Sequence, residues 1–280
     1  MIIFDFNQIV IANLMEQIGS SKKPVESDLV RHMILNSLRT YIKKFKSYGQ
    51  VVIACDNKKY WRRDVFPYYK GNRKKSRDDS GHDWESIFAC MNMVRQELKT
   101  YSPYKILDVD GAEADDIIGT LVPIYARDQK ILILSSDGDF LQLQQYGPNV
   151  KQYNPSQKKY IKSENPILEL KEKIIRGDKG DGIPNMFSPS DCFVRDLRQK
   201  PITKTIIDQY LWENVEEYND TDKTNFARNS TLIDLTKIPA DIKEKIINTY
   251  DETKPASRQK LLNYFMEHKL KNLMDVIEEF

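Results

Sequence analysis

Asp137 and Asp139 stand one residue apart directly after a continuous apolar run, in the stretch "KILILSSDGDFLQL". Taken alone, they read as a turn at Asp137-Gly138, with Asp139 capping a short helix over 140–145 through its backbone N–H groups. Other apolar runs end the same way. Asp5 follows "MIIF", Asp56 follows "VVIAC", and Asp108 and Asp110 close "KILDVD". Two further acidic motifs lie nearby in the chain: "GAEADD", with Glu113, Asp115 and Asp116, and "GDKGDG", with Asp178 and Asp181.

Carboxylates gathered in one pocket cannot all ionise without compensating charge, because like charges repel strongly at short range. Divalent cations supply that compensation. An all-oxygen set without His or Cys favours Mg²⁺, with Mn²⁺ as substitute, over Zn²⁺. Two such ions are a common apparatus for phosphodiester hydrolysis, one activating water and both stabilising charge on the attacking and leaving oxygens. On a helical turn, Asp178 and Asp181 would point the same way, and so would Glu113 and Asp116. With Glu113 in a loop, Asp115 reaches the cluster instead. His32, His82 and His268 occur singly. Cys55, Cys90 and Cys192 lack metal-ligand spacing and suit a reducing compartment.

The elements that must position these acids are legible as four apolar runs, at 1–4, 51–55, 105–109 and 131–134, too short for helices. Between the first two, Val30, Ile34, Leu38, Tyr41 and Phe45 recur at helical spacing, predicting a helix from near Ser27 that closes before Gly49. Further helices are predicted over 84–100 and 113–127. Strands alternating with helices imply crossover connections and a largely parallel sheet. All the strand-end acids then lie along one edge, where open α/β folds place their ligands. A hairpin is expected around Asn154-Pro155, and helices from about 165 onward. We read an α/β domain over 1–185 and a smaller helical region over 186–280. With 40% hydrophobic and 30% charged residues and no long apolar stretch, the chain has the composition of a globular protein rather than a membrane span. Its start carries no basic leader and reads as a first strand.

Net charge is only +2, but residues 58–77, "KKYWRRDVFPYYKGNRKKSR", hold nine Lys or Arg, five aromatics and one acid. Cations of this kind track a phosphate backbone, and Tyr and Trp rings offer faces to unpaired bases. The segment follows Asp56 directly, so it starts beside the acidic edge. An isolated basic loop would be read as a solvated face; this placement points to nucleic acid. Asp5 as a phosphotransferase nucleophile is set aside, because position 7 is Asn where a second acid is needed.

"FDF", "CDN", "YYKGNR", "EADD", "SSDGDF" and "GDKGD", in this order, resemble the flap endonuclease (5′-nuclease) family. "RHMILNSL", "YWRRD", "HDWE" and the final "EEF" extend the likeness over essentially the whole chain, toward phage members of that family. The resemblance implies a PIN/FEN-like, largely parallel sheet flanked by helices, a basic arch around 58–82 and a helical C-terminal region that binds DNA. It implies a two-metal 5′-to-3′ exonuclease and flap endonuclease that removes RNA primers and 5′ flaps during phage DNA replication. Asp5, Asp56, Glu113, Asp115, Asp116 and Asp137 would supply a first metal site, and Asp139, Asp178 and Asp181 a second. Lys70 and Arg73 match the arch's basic pair, which would act on the scissile phosphate. Tyr69 would stack on a terminal base, and Arg62, Arg63, Lys74, Lys75 and Arg77 would contact the backbone.

The implied substrates are branched or nicked DNA and RNA–DNA duplex with a 5′ end. The implied partners are a replication single-strand-binding protein or sliding clamp, for a monomer in the host cytoplasm. The chain begins almost directly on its first strand, so docking of a partner through an N-terminal tail is not expected. After "GDKGD" it reads "GIPNMFSPSDCF", without the second glycine and lysine of the family's duplex-gripping hairpin. The resemblance therefore does not by itself imply that hairpin or its monovalent ion here, and basic residues in "RDLRQKPITKT" are candidates to replace them. The competing expectations are a smaller PIN-type ribonuclease and a non-catalytic protein that binds branched DNA.

Overall fold

A computed structural model describes all 280 residues. Its sheet has six strands: β1 (Ile2–Asp5), β2 (Val51–Ala54), β3 (Lys105–Leu107), β4 (Ile131–Leu134), β5 (Val150–Asn154) and β6 (Lys159–Ile161). They lie in the order β3-β2-β1-β4-β5-β6. The first five are parallel, and β6 returns antiparallel to β5 as the expected hairpin. Strand order reverses direction between β1 and β4, so the crevice of this open sheet opens at their carboxyl ends.

The helices in chain order are α1 (Phe6–Ile18), α2 (Ser27–Lys44), α3 (Arg62–Val65), α4 (Arg73–Ser80), α5 (Trp84–Tyr101) and α6 (Ala114–Tyr125). After the sheet come α7 (Pro166–Arg176), α8 (Lys204–Trp212), α9 (Asp220–Ile233), α10 (Ala240–Glu252), α11 (Arg258–Glu267) and α12 (Lys271–Met274). No helix is long and apolar enough to cross a membrane.

The central strands are apolar on both faces because helices cover both. Ile2, Phe4, Ile53, Leu132 and Leu134 point into one core with α1, α2 and α5. Ile3, Val52, Ala54, Ile131 and Ile133 point into the other with α6. The period-2 alternation of one strand thus feeds two cores. The C-terminal helices do not all stand apart from them. Ile242 and Ile246 of α10 join the core around α6, while Leu261 and Phe265 of α11, with Phe280, join the other. Only α8 and α9, with α7, build small clusters of their own. The span 177–203 carries no helix, contrary to the expectation of helices throughout this region, and it packs beside the basic segment.

Candidate active site

The exits of β1, β2 and β4 each lead from buried backbone to a carboxylate position. Asp5 is the last residue of β1 and the N-cap of α1: one oxygen accepts from the Gln8 N–H at 3.2 Å, the other from the Ser135 hydroxyl at 2.8 Å. It is 5% exposed, and burial together with the neighbouring Asp56 pushes its carboxyl up to about 7. Asp56 follows β2 and accepts from the Ala114 N–H at 2.8 Å, which ties it to the start of α6. Its carboxyl is likewise raised by burial, with Lys70 opposing. Asp137 follows β4 at a solvent-exposed rim, and the surrounding protein still raises its carboxyl.

The "GAEADD" motif resolves the alternatives left by its spacing. Glu113 is the non-helical N-cap of α6, and its N–H donates to Asp116 at 2.8 Å. Asp115 then turns toward Asp137, Glu113 and Asp5, and burial among them raises its carboxyl well above the ordinary range. Asp116 points the other way. It is fully buried and accepts from Arg62 at 2.8 Å and from the Trp61 ring N–H at 3.2 Å. In this structure its carboxylate is engaged in holding the helix start.

On the other side of the crevice, the acids have protein cations as partners. Asp137, not Asp139, caps the 3₁₀ helix Gly138–Tyr146, by accepting from the Asp139 N–H at 2.9 Å. Extended backbone at Asp137 (φ −73°, ψ 130°) gives it the cap geometry and leaves Asp139 inside the turn. Asp139 lies against the Lys173 ammonium of α7, which also sits 3.0 Å from Asp178. Asp178 and Asp181 occupy a tight loop, not a helical turn, closed by a pair of backbone bonds between Asp178 and Ile183. Gly177 permits it, at φ +68°, where a Cβ would lie 2.4 Å from the Ile183 carbonyl.

The basic segment is latched onto this loop. Lys70 contacts Glu113 and lies 3.8 Å from Asp181, and its own N–H donates to the Asp181 carbonyl at 2.7 Å. Lys70 adopts φ +56°, a left-handed conformation uncommon for a residue with a side chain. Arg73 donates to Asp181 at 2.5 Å and to the Gly180 carbonyl at 3.1 Å. Burial pushes the Asp181 carboxyl up, but Lys70 and Arg73 outweigh it and the result is lowered. The Asn72 amide completes the latch by donating to the Lys179 carbonyl at 2.7 Å.

Two members of the segment lie elsewhere than expected. Tyr69 is 2% exposed, with its hydroxyl donating toward both Glu113 (3.0 Å) and Asp181 (2.7 Å). It offers no face to a base in this arrangement. Arg62, also 2% exposed, pairs with Glu113 at 3.0 Å and Asp116, and donates to the Leu232 carbonyl. It balances buried carboxylates and is not available to a phosphate backbone. Arg63, Lys74 and Lys75 are exposed, Lys75 in a surface pair with Asp196, and Arg77 and Arg63 line the cavity beneath the segment. Asp108 is occupied by Lys99 (2.8 Å) and Asn57 (2.8 Å), away from the other acids.

No three carboxylates are grouped tightly enough, as they stand, to hold one ion. The donor set nevertheless fits divalent cations. It is all oxygen, and the carboxyls of Asp5, Asp56, Asp115 and Asp137 are raised, first by burial and then by neighbouring acids. Lys173 was not singled out by sequence reasoning. It sits five residues before Asp178 at the basic end of a helix, where a lysine is ordinarily read as a helix-end charge.

Comparison with known proteins matches residues 14–174 to the family described as 5′-3′ exonuclease, N-terminal resolvase-like domain, and 164–280 to T4 RNase H, C terminal. The chain is 38% identical to ribonuclease H of Enterobacteria phage T4, over 99% of this chain and 95% of that one. It is 30% identical to a 5′-3′ exonuclease of Buchnera aphidicola, over 55% of this chain and 54% of that one. Among solved structures it resembles the T5 5′-exonuclease with bound zinc (TM-score 0.64, 18% identity, 90% of this chain and 98% of that one). It also resembles a T5 flap endonuclease in a pseudo-enzyme–product complex with DNA and metal ions (TM-score 0.63, 18% identity, 90% and 99%).

Proposed function

The chain belongs to the 5′-3′ exonuclease family and is a nuclease, and on that premise we propose how its residues divide the work and on what substrate. It is a 5′-to-3′ exonuclease and flap endonuclease that hydrolyses phosphodiesters. Its substrates are RNA primers and 5′ flaps on duplex nucleic acid during phage DNA replication, in the host cytoplasm. The observation that carries the reading is the row of carboxylates at the sheet's switch point, roofed by Lys70 and Arg73.

Asp5, Asp56, Glu113, Asp115 and Asp137 would hold one Mg²⁺, with Mn²⁺ as substitute, and Asp139, Asp178 and Asp181 a second. When bound, such ions supply an activated water and charge stabilisation on the scissile phosphate. The chain's own groups do the rest. The strand ends fix the acids rigidly. Lys70 and Arg73 are poised to stabilise charge on the phosphate once released from Glu113 and Asp181. Arg62 and Tyr69 hold Glu113 in place from below. Arg63, Lys74, Lys75 and Arg77 grip the strand, and the 186–280 region, with its basic 195–205 stretch, receives the duplex.

The test is a 5′-labelled flap duplex and an RNA-primed duplex, incubated with Mg²⁺, with EDTA, and with Asp137→Asn protein. Short 5′ products that require both the metal and Asp137 are expected. Binding of the flap duplex without cleavage in any divalent ion would replace this reading with the non-catalytic one.

A further inference from the structure

Asp5 and Asp137, at the ends of adjacent strands, are joined through one buried hydroxyl. Ser135 donates from Oγ to Asp5 at 2.8 Å and accepts at the same oxygen from the Asp137 N–H at 3.1 Å. A hydroxyl can do both, because it carries one proton and two lone pairs. Gln152 of β5 reaches the same turn. It is fully buried, and its amide donates to the Ser135 carbonyl at 3.1 Å and to the Asp137 carbonyl at 2.6 Å. Gln8 of α1 adds a further tie: its N–H donates to Asp5, and its side-chain oxygen accepts from the Ser136 N–H at 3.1 Å.

The need for these ties is local. The paired register of β4 ends at Leu134, and Ser135 keeps one last ladder bond, from its N–H to the Tyr153 carbonyl. Beyond it the backbone groups must find other partners. The side chains that serve them come from elements already fixed in or against the sheet. An apolar residue at 152 would leave the Ser135 and Asp137 carbonyls without this donor, and alanine at 135 would cut the link between the two acids. Neighbouring carboxylates repel when both are ionised, and the ties oppose the movement of the turn that this repulsion favours.

We propose that Ser135 and Gln152 are positioning residues, which fix Asp5 and Asp137 relative to each other before any metal ion arrives. The inference rests on the reading of these acids as metal ligands. A side chain that orients a ligand contributes to metal affinity without touching the ion, and its loss ordinarily costs about 10–100-fold.

The experiment starts with wild-type protein in EDTA. The Asp137 amide should exchange its hydrogen at least about tenfold more slowly than unstructured chain. Mn²⁺ is then titrated by calorimetry without nucleic acid. Ser135→Ala and Gln152→Met should each bind it roughly tenfold more weakly, and neither should lose more when combined with Asp137→Asn. Ser163→Ala removes a different buried hydroxyl, on the connection from β6 to α7, and should bind Mn²⁺ as the wild type does. Wild-type Mn²⁺ affinity in both positioning variants overturns the proposal, whatever their stability in urea, and so does an unprotected Asp137 amide. If neither variant folds, the wild-type exchange decides alone. Wild-type Mn²⁺ binding by Asp137→Asn would instead remove the metal reading beneath the proposal, whereas a loss confined to Asp137→Asn removes only the positioning role.

Discussion

The two sides of the crevice carry the same residue type in opposite electrostatic states. On the strand-end side, the carboxyls of Asp5, Asp56, Asp115 and Asp137 are all raised, Asp5 by burial and by Asp56, Asp115 by burial and by Asp137, and Asp56 and Asp137 against the opposing pull of Lys70 and Lys173. On the loop side, Asp181 has Lys70 and Arg73, and Asp139 and Asp178 share Lys173. Asp181 is lowered accordingly. The difference follows from the elements. Strand ends in a buried sheet position carboxylates rigidly, because the residues just before them are fixed in the ladder. A loop and a helix end let lysine and arginine reach in. On the proposed reading, the first set would take its charge from bound ions, and the second holds protein charge that an ion would displace.

Breaking the strand-end side should have the largest effect. Asp137→Asn is expected to lower turnover by on the order of a thousandfold or more, with binding of nucleic acid unchanged or tighter, because repulsion of phosphate falls with the charge. Breaking the roof comes next. Lys70→Ala should reduce kcat on the order of a hundredfold and affinity far less, measured by single-turnover cleavage against anisotropy. Equal losses in both would make Lys70 a simple phosphate anchor. Arg62→Met sharpens the contrast through stability instead, because it leaves Asp116 without its buried cation and removes one of the partners of Glu113. A loss of about 3–5 kcal/mol in urea denaturation is expected.

The smallest effect belongs to the loop side. Lys173→Met should strengthen the weaker of two Mn²⁺ binding steps, by roughly tenfold in calorimetry, since the cation no longer displaces an ammonium. Unchanged binding would show that Lys173 does not compete with the ion.

Much of this was legible in the sequence. Continuous apolar runs ending in Asp5, Asp56 and Asp137 imply buried parallel strands with acids at one edge, because only a strand covered on both faces is apolar at every position. The partners of those acids were not legible. Arg62 and Arg63 are adjacent and chemically identical, yet one is buried under Glu113 and the other exposed. No helix spans 58–77: α3 and α4 are short and joined by irregular chain, so no periodicity assigns faces. Tyr69 is hidden for the same reason. The exchange of capping from Asp139 to Asp137 depends on a backbone angle where the chain leaves β4, and spacing alone does not carry that information.

The claim that the strand-end acids lack charge is tested most directly by melting temperature against pH, with and without a divalent ion. Asp5 binds its proton near pH 7 when folded, against its ordinary value near 4, so the folded state holds more protons between these values. Stability in EDTA should therefore fall as pH rises across that window, by on the order of 2–4 kcal/mol, and level off above it. Asp181, lowered, acts with the opposite sign but only below its ordinary value, outside the window. Mg²⁺ should restore the melting temperature at pH 8 and have little effect at pH 5. A melting temperature independent of pH in EDTA, with no response to Mg²⁺ at pH 8, would contradict the account.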